Sequence, residues 1–377
     1  INASAEIKSF NMYFVNTFMN PPFITFDECF VRGEAGILSK DGIYNLNGNL
    51  TADEMGVNIF WAPDQKVIIH NPTFTLWNND LRCSVSKATV IDYTTYERKS
   101  IDIYAGLTLT PTLSIEGYVA EMWMDENNTI RIRLPLPMMG IDILANGYGH
   151  YYMKTTEGEP MTNDGELSVV DSEVTIGMNP YPEWYNLKGN ANVDLILNFK
   201  RNNRIIYPAQ QDPIISITLD EDSSVKFVKK GREISVQGDV DIRGGEIFYF
   251  QKYFYITEGN ISFPDPNKLD PKINLRATLR TYDNESNRVE VYLVMKDNTF
   301  ENINPTLESS PAKDLNEIME ILGQSILPSS TYGTVSVGSV TQLVTEGIDI
   351  LGRLGIVTTS NPISGMNLSL KEFFGVD

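Results

Sequence analysis

The sequence predicts an all-β protein of antiparallel strands, each with one dry face and one wet face. Two observations carry that prediction. Apolar residues recur at every second position through most of residues 30 to 300, and Asn, Asp, Gly and Ser interrupt the pattern at short intervals. Successive side chains of a strand point to opposite faces, so period two with one apolar face marks a half-buried strand. A third observation is that no ten-residue helical pattern separates the strands, which sets aside a βαβ architecture.

Taken in order, the first segment stands apart. "AEIKSFNMYFVNTFM" has helical spacing through Ile7, Phe10, Phe14 and Phe18. Strands follow. "IDIYAGLTLTPTLSIEGYV" aligns Ile101, Ile103, Leu107 and Leu109, and "NTIRIRLPL" aligns Ile130, Ile132 and Leu134. In "ANVDLILNFK" Val193, Leu195, Leu197 and Phe199 oppose Asn192, Asp194, Asn198 and Lys200. Ile215, Ile217 and Leu219 align in "IISITLD", as do Ile234, Val236, Val240 and Ile242 in "REISVQGDVDIRG". "KINLRATLRT" sets Ile273, Leu275, Ala277 and Leu279 against Lys272, Asn274, Arg276, Thr278 and Arg280, and "VEVYLVMK" gives Val289, Val291, Leu293 and Met295. The punctuation reads as hairpin turns: "SKDGI" around Asp41 and Gly42, "DENNT" at 125–129, "NGYG" at 146–149, "DEDSS" at 220–224 and "YDNES" at 282–286. Near the C-terminus two amphipathic helices are expected. One spans 313–327 through Leu315, Ile318, Met319, Leu322 and Ile326 after a Ser310-Pro311 entry. The other spans 339–353 through Val340, Leu343, Val344, Ile348 and Leu351, weakened by Gly347.

Composition bounds the function. The chain has 377 residues, is 42% hydrophobic and carries 18 Tyr and 17 Phe, which suits an ordered protein with a substantial core. A formal net charge of −19 without any basic run disfavours nucleic acid and anionic membrane surfaces as partners. Cys29 and Cys83 are too few for a disulfide framework and lack zinc spacing; both a pair and two free thiols fit. No apolar run approaches the roughly 20 residues of a membrane-spanning helix. The chain begins "INASAEIKSF" without an initiator Met and reads as a fragment of something longer, so a missing targeting signal says little about location.

No enzyme is legible. His70 in "VIIHNPTF" and His150 in "YGHYYM" stand apart from cysteines and from any nucleophile signature, and read as packing residues rather than metal ligands. Asp239, Asp241 and Glu246, and likewise Asp220, Glu221 and Asp222, occupy the wet face or a turn, where a solvated surface explains them better than cation binding or acid–base work. No phosphate loop, dinucleotide fingerprint or nucleophile elbow occurs, and no cofactor or metal is expected. What remains is the dry face. Two apolar sheets closed into a sandwich give this alternation, and so does one long sheet curled into an open trough. Periodicity does not choose between them.

Residues 238–323 do. They run "GDVDIRGGEIFYFQKYFYITEGNISFPDPNKLDPKINLRATLRT", then "NRVEVYLVMKDN", then "NPTLESSPAKDLNEIMEILG". The order resembles the C-terminal domain of the TamB family, the translocation and assembly module proteins of diderm bacteria. Matching positions are Gly238, Gly245, Ile256, Gly259, Ile261, Phe263, Pro271, Ile273, Leu275, Ala277, Val289, Val291, Pro305, Ser310, Pro311, Leu315, Ile318 and Leu322. Gly259 after "ITE" suits a tight turn, and Pro264, Pro266 and Pro271 suit a loop that continues no ladder. The pattern departs at Met295-Lys296-Asp297, where the family has Gly. The upstream stretch "GILSKDGIYNLNGNLTADEMGVNIFWAPDQKVIIHNPTFTL" is similar to the repeated strands of the AsmA-like and TamB superfamily, which includes bridge-like lipid transfer proteins.

The resemblance implies an elongated, curled antiparallel sheet, a β-taco with an apolar interior, carrying short amphipathic helices near the C-terminus. It divides the chain into upstream groove repeats at 1–237 and a TamB-like C-terminal domain at 238–377, continuous with the groove. It implies a periplasmic protein anchored to the inner membrane by a helix outside this sequence and meeting an outer-membrane barrel of the TamA or BamA type. The implied role is that of a conduit for phospholipid acyl chains supporting outer-membrane biogenesis. The alternative is an assembly factor holding unfolded outer-membrane strands. The lipid-binding groove would be the dry face: Val193, Leu195, Leu197, Phe199, Ile215, Ile217, Leu219, Ile234, Val236, Val240, Ile242, Ile273, Leu275, Leu279, Val289, Val291 and Leu293. Some twenty stacked strands would extend roughly 100 Å.

Overall fold

A computed structural model describes residues 2–18, 24–27, 29–59, 64–136, 141–156, 160–176, 192–207, 213, 215–231, 233–249, 252–265, 271–298 and 305–323. The strands of the first half are β1 (Asn2–Asn11), β2 (Ile24–Phe26), β3 (Phe30–Lys40), β4 (Ile43–Thr51), β5 (Glu54–Ile59), β6 (Gln65–His70), β7 (Thr73–Trp77), β8 (Asp80–Cys83), β9 (Ser86–Asp92), β10 (Arg98–Leu109), β11 (Ile115–Met124) and β12 (Ile130–Leu136). Those of the second half are β13 (Ile141–Thr156), β14 (Thr162–Ile176), β15 (Asn192–Phe199), β16 (Arg204–Tyr207), β17 (Ile215–Leu219), β18 (Ser224–Lys230), β19 (Glu233–Tyr249), β20 (Lys252–Phe263), β21 (Lys272–Tyr282), β22 (Arg288–Asn298) and β23 (Thr306–Ser310). All belong to one curled sheet.

The unit of that sheet is a long strand bent near its middle. β11 and β12 lie end to end along one edge of β13, β15 and β16 along β14, and β17 and β18 along β19. The same end-to-end relation joins β2 to β3, β4 to β5, β6 to β7 and β8 to β9. Merging these seven pairs turns the 23 strands into sixteen rungs. At about 4.8 Å per rung they stack over about 70 Å, shorter than the length expected because half-strands are not separate rungs. Neighbouring rungs are antiparallel with one exception: β14 runs parallel to both β15 and β16.

The bends form a crease across the sheet, and the turn-like residues explain it. Of the five expected turns, Asp41-Gly42 joins β3 to β4 and 283–287 joins β21 to β22 as hairpins. The other three are corrected. "DENNT" is the break between β11 and β12, closed by the Asp125 carboxylate accepting from the Asn127 and Asn128 amides at 2.9 and 3.0 Å. "DEDSS" is the break between β17 and β18, and "NGYG" lies inside β13. A bent strand needs bulged or left-handed backbone, which Asn and Asp tolerate: Asn71, Asp171 and Asn202 have φ of 47°, 47° and 57°. Gly149 and Gly245 have φ of 140° and 148°, and a Cβ there would overlap the carbonyl oxygens of Glu166 and Ser216.

Gly259 is also corrected. It lies within β20, opposite Ile242 and Leu275, and a Cβ would press on the side chains of both. The position demands glycine because its neighbours fill the space, and no turn is involved. The N-terminal segment is not the expected helix: Ile7 and Phe10 lie in β1, and a 3-10 helix follows at Met12–Phe18. The helix expected at 313–327 is α1 (Leu315–Ile321), which starts one turn later than the Ser-Pro entry. Asp314 is its N-cap, accepting from the Glu317 amide at 2.9 Å while the Glu317 carboxylate accepts from the Asp314 amide at 2.9 Å. The helix expected at 339–353 lies outside the described residues. Among the described residues, no helix is long and apolar enough to cross a membrane.

Candidate functional site

The bend gives each rung two arms, and their dry faces form one hydrophobic cluster from Cys29 and Met55 at one end to Ile318 and Leu322 at the other. Of the residues expected to line a groove, Leu195, Leu197, Phe199, Ile217, Leu219, Val240, Ile242, Leu275, Val289, Val291 and Leu293 are buried in this cluster. Val193, Ile215, Val236, Ile273 and Leu279 are half-buried against it. The Ile234 side chain lies outside the described residues.

Burial varies from arm to arm: on β18 Val225, beside the break, is half-buried while Phe227 farther out is buried. On β15 it is complete at Leu195 and relaxes at Val193, the residue farthest from the crease; on β17 it is nearly complete at Leu219 and relaxes at Ile215. β21 is deepest at Ala277 and opens towards both Ile273 and Leu279. The apolar interior is packed along most of its length, with half-buried positions at Val193, Ile215, Val225, Ile273 and Leu279. Its C-terminal end is covered by α1, whose Ile318 and Leu322 are buried in the same cluster. The helix is held from outside. Lys313 Nζ pairs with Asp283 Oδ2 at 3.0 Å, and Asn284 Nδ2 donates to Glu320 Oε1 at 2.9 Å, both from the β21–β22 hairpin.

Sequence reasoning missed a group of polar side chains on the dry face. Lys229 alternates with Val225 and Phe227 on the inner side of β18 and is 8% exposed. Among the described residues it is the one buried cation, and loss of water around it pulls its ammonium below the ordinary lysine value. Asn163, on the inner side of β14, is 7% exposed and donates from Nδ2 to the Asn192 carbonyl at 3.3 Å. Tyr118 on β11 donates its hydroxyl to the Met161 sulfur at 3.2 Å, and burial pushes its phenol well above the ordinary range. The signal was present in "SVKFVKK", where a lysine falls on a dry-face position of an otherwise clean alternation.

The wet face carries conventional polar contacts. His150 stacks on Trp123 with ring centres 5.5 Å apart and meets Glu121 at 3.3 Å; His70 Nε2 meets Thr89 Oγ1 at 2.8 Å. A shallow concavity of about 440 Å³ lies there among Arg82, Tyr104, Glu121, Tyr152 and Lys154. Among the described residues no three His, Cys, Asp or Glu side chains are placed to hold a metal ion. Cys29 and Cys83 are free, buried thiols, with burial raising the pKa of each.

A family model for the TamB C-terminal domain matches residues 160–377, more than half of the chain. The match takes in every rung from β14 onward, starting ahead of residue 238, and β19 runs unbroken through 237 and 238. No curated protein matches the chain.

Proposed function

The chain belongs to the TamB family, the proteins of the translocation and assembly module, and on that premise we propose that it is a length of conduit for phospholipid acyl chains. The observation that supports this reading is the apolar interior, one hydrophobic cluster continuous over the rungs, with half-buried residues along it. At about 0.8 kcal/mol per CH₂ kept from water, a lipid tail gains on the order of 10 kcal/mol inside such a lining. In this reading the protein works in the periplasm, is tied to the inner membrane, meets a barrel of the TamA or BamA type, moves phospholipid towards the outer membrane and performs no chemistry of its own. Residues 1–237 and 238–377 then form one trough.

A second reading has its own support. Among the described residues β1 pairs only with β3, and β23 only with β22, so each end of the sheet shows an edge that can accept a further strand. An assembly factor would use those edges to hold unfolded outer-membrane strands. One experiment separates the readings. A photo-crosslinking residue placed at Val236 or Ile261, both half-buried on the dry face, should capture phospholipid in cells, while the same residue at exposed Tyr255 should not. Capture of nascent barrel protein at Phe10 on β1, with no lipid at Val236 or Ile261, would replace the conduit with the assembly factor.

A further inference from the structure

The shallow concavity on the wet face has a floor of small residues and a wall of long ones. Register places Arg82 on β8, Gly106 on β10, Val119 on β11 and Lys154 on β13 in one row across the sheet, and Tyr104, Glu121 and Tyr152 in the next row. Gly117 on β11 lies opposite Thr108 of β10 in the row beyond. The two glycines are buried, while Arg82, Tyr104, Glu121 and Tyr152 are half-buried and Lys154 is exposed. The result is a dish of about 440 Å³, within the roughly 300–1,000 Å³ of small-molecule sites. Its wall is held in place by neighbours. Arg82 donates from Nε to Asp80 Oδ2 at 2.8 Å and from Nη1 to the Tyr104 hydroxyl at 3.2 Å, and Glu121 Oε2 meets His150 Nε2 at 3.3 Å. A guanidinium carries about five N–H donors and a carboxylate about four acceptor sites, so both groups keep capacity after these contacts. Burial, with the Asp164 and Glu121 carboxylates beside it, raises the Tyr152 phenol above its ordinary value, so its hydroxyl stays a donor.

We propose that this dish binds a saccharide, with a sugar ring lying over Gly106 and Val119 against the Tyr104 and Tyr152 rings. The dish is on the opposite face of the strands from the apolar interior, so the inference goes beyond the conduit reading and does not depend on it. The wall selects by exclusion. An anion drawn to Arg82 and Lys154 would meet the Glu121 carboxylate, and a cation drawn to Glu121 would meet Arg82 and Lys154. An apolar ligand would take water from all three charges and return no hydrogen bond. A hydroxyl both donates and accepts, so one sugar ring can donate to Glu121 while it accepts from Arg82 and Lys154. Hydrogen bonds to charged partners are stronger than those between neutral groups, which suits a ligand held at an open surface. The C–H faces of the ring fit the phenol rings and the Val119 methyl groups, which offer apolar contact with a polar tip close by. Because the dish is shallow, it admits one residue of a longer glycan as well as a free sugar.

The test is saturation-transfer NMR of the full chain with glucose, maltotetraose and chitotetraose, with calorimetric titration to give affinities. The wild type should transfer saturation to sugar ring protons. Tyr152→Ala should weaken that binding about tenfold, the loss of one aromatic contact, while Tyr152→Phe keeps the ring and most of the affinity. Glu121→Gln should weaken it about fivefold by removing a charged acceptor, and Tyr255→Ala, at an exposed tyrosine on β20, should change nothing. Glucose bound as tightly as the tetrasaccharides would identify a free sugar as the ligand, and binding confined to the tetrasaccharides a glycan chain. Sugar binding left unchanged by both Tyr152→Ala and Glu121→Gln would lie elsewhere and overturn the site. Absence of transfer to all three sugars overturns the saccharide assignment, as does an affinity for inorganic phosphate above that for any sugar. Each of these failures leaves the conduit reading standing. Thermal melts of the variants identify any loss caused by unfolding, and Glu121→Gln, which keeps the shape of the side chain, carries the test if Tyr152→Ala does not fold.

Discussion

The two ends of the sheet are made from the same kind of strand and are buried very differently. In β22 the dry face is sealed: Val289 and Val291 are 0% exposed and Leu293 is 1%. In β1 nearly every residue is exposed, and β3 keeps only Val31 well covered while Gly33, Ala35 and Ile37 on the same face are half-buried. The difference lies in what faces each strand. β22 has arms of similar length on either side of the crease and α1 over the end. Among the described residues, one arm at the first rungs is the eleven-residue β3 and the other is the three-residue β2. Alternation sets which face is dry, and the facing arm sets whether that face is buried.

The largest expected effect tests this directly. Val291→Asp should destabilise the protein by about 4 kcal/mol in urea unfolding, the penalty of an uncompensated buried charge, whereas Ala3→Asp in β1 should stay within about 0.5 kcal/mol. Similar losses at both positions would mean that β1 is covered in solution and would end the contrast. Next comes the crease. Gly245→Ala forces a side chain onto the Ser216 carbonyl at a left-handed φ and should cost about 3 kcal/mol. Gly42→Ala, in the β3–β4 turn with no heavy atom within 4 Å of the new methyl group, should cost about 1 kcal/mol. Equal costs would show that only the dihedral angle matters and that the crease is not crowded.

The smallest effect belongs to the exposed end, where the crease is held by charge. Asp27, between β2 and β3, pairs with Lys66 and accepts from Asn58 Nδ2 at 2.8 Å. The Lys66 ammonium holds the Asp27 carboxyl below its ordinary value of 3.8. A depressed folded value means the contribution is present above pH 3.8 and is lost as pH falls through the lower, folded value. Asp27→Asn should therefore cost less than about 1 kcal/mol at pH 7, given partial solvent screening, and the gap from wild type should close in acid. A gap that persisted at pH 2 would move the role of Asp27 from its charge to its shape.

Much of this architecture was legible in the sequence, and the parts that were not share a cause. The strand positions and the inward residues from Val193 to Leu293 follow from period two, because only the choice of face is at stake. The crease was not legible. Asn, Asp and Gly supply left-handed backbone both to a hairpin and to a bend in a strand, so "DENNT" and "DEDSS" read as chain reversals when the chain in fact continues forward. Gly259 misled for the same reason: the missing Cβ makes room for Ile242 and Leu275, and composition does not distinguish room from rotation. Lys229 was legible in principle, since a cation at a dry-face position contradicts its own strand.

The repeated bent rung makes the molecule a ruler. Each rung pairs only with those beside it, so its neighbours, and not the whole chain, decide whether it fits. Inserting or deleting one antiparallel pair would change the span by about 10 Å and leave every other rung as it was, with the crease and the lining carried through. A gap between two fixed surfaces that widened over generations could be matched by duplication of such pairs, at no cost to the chemistry of the ends.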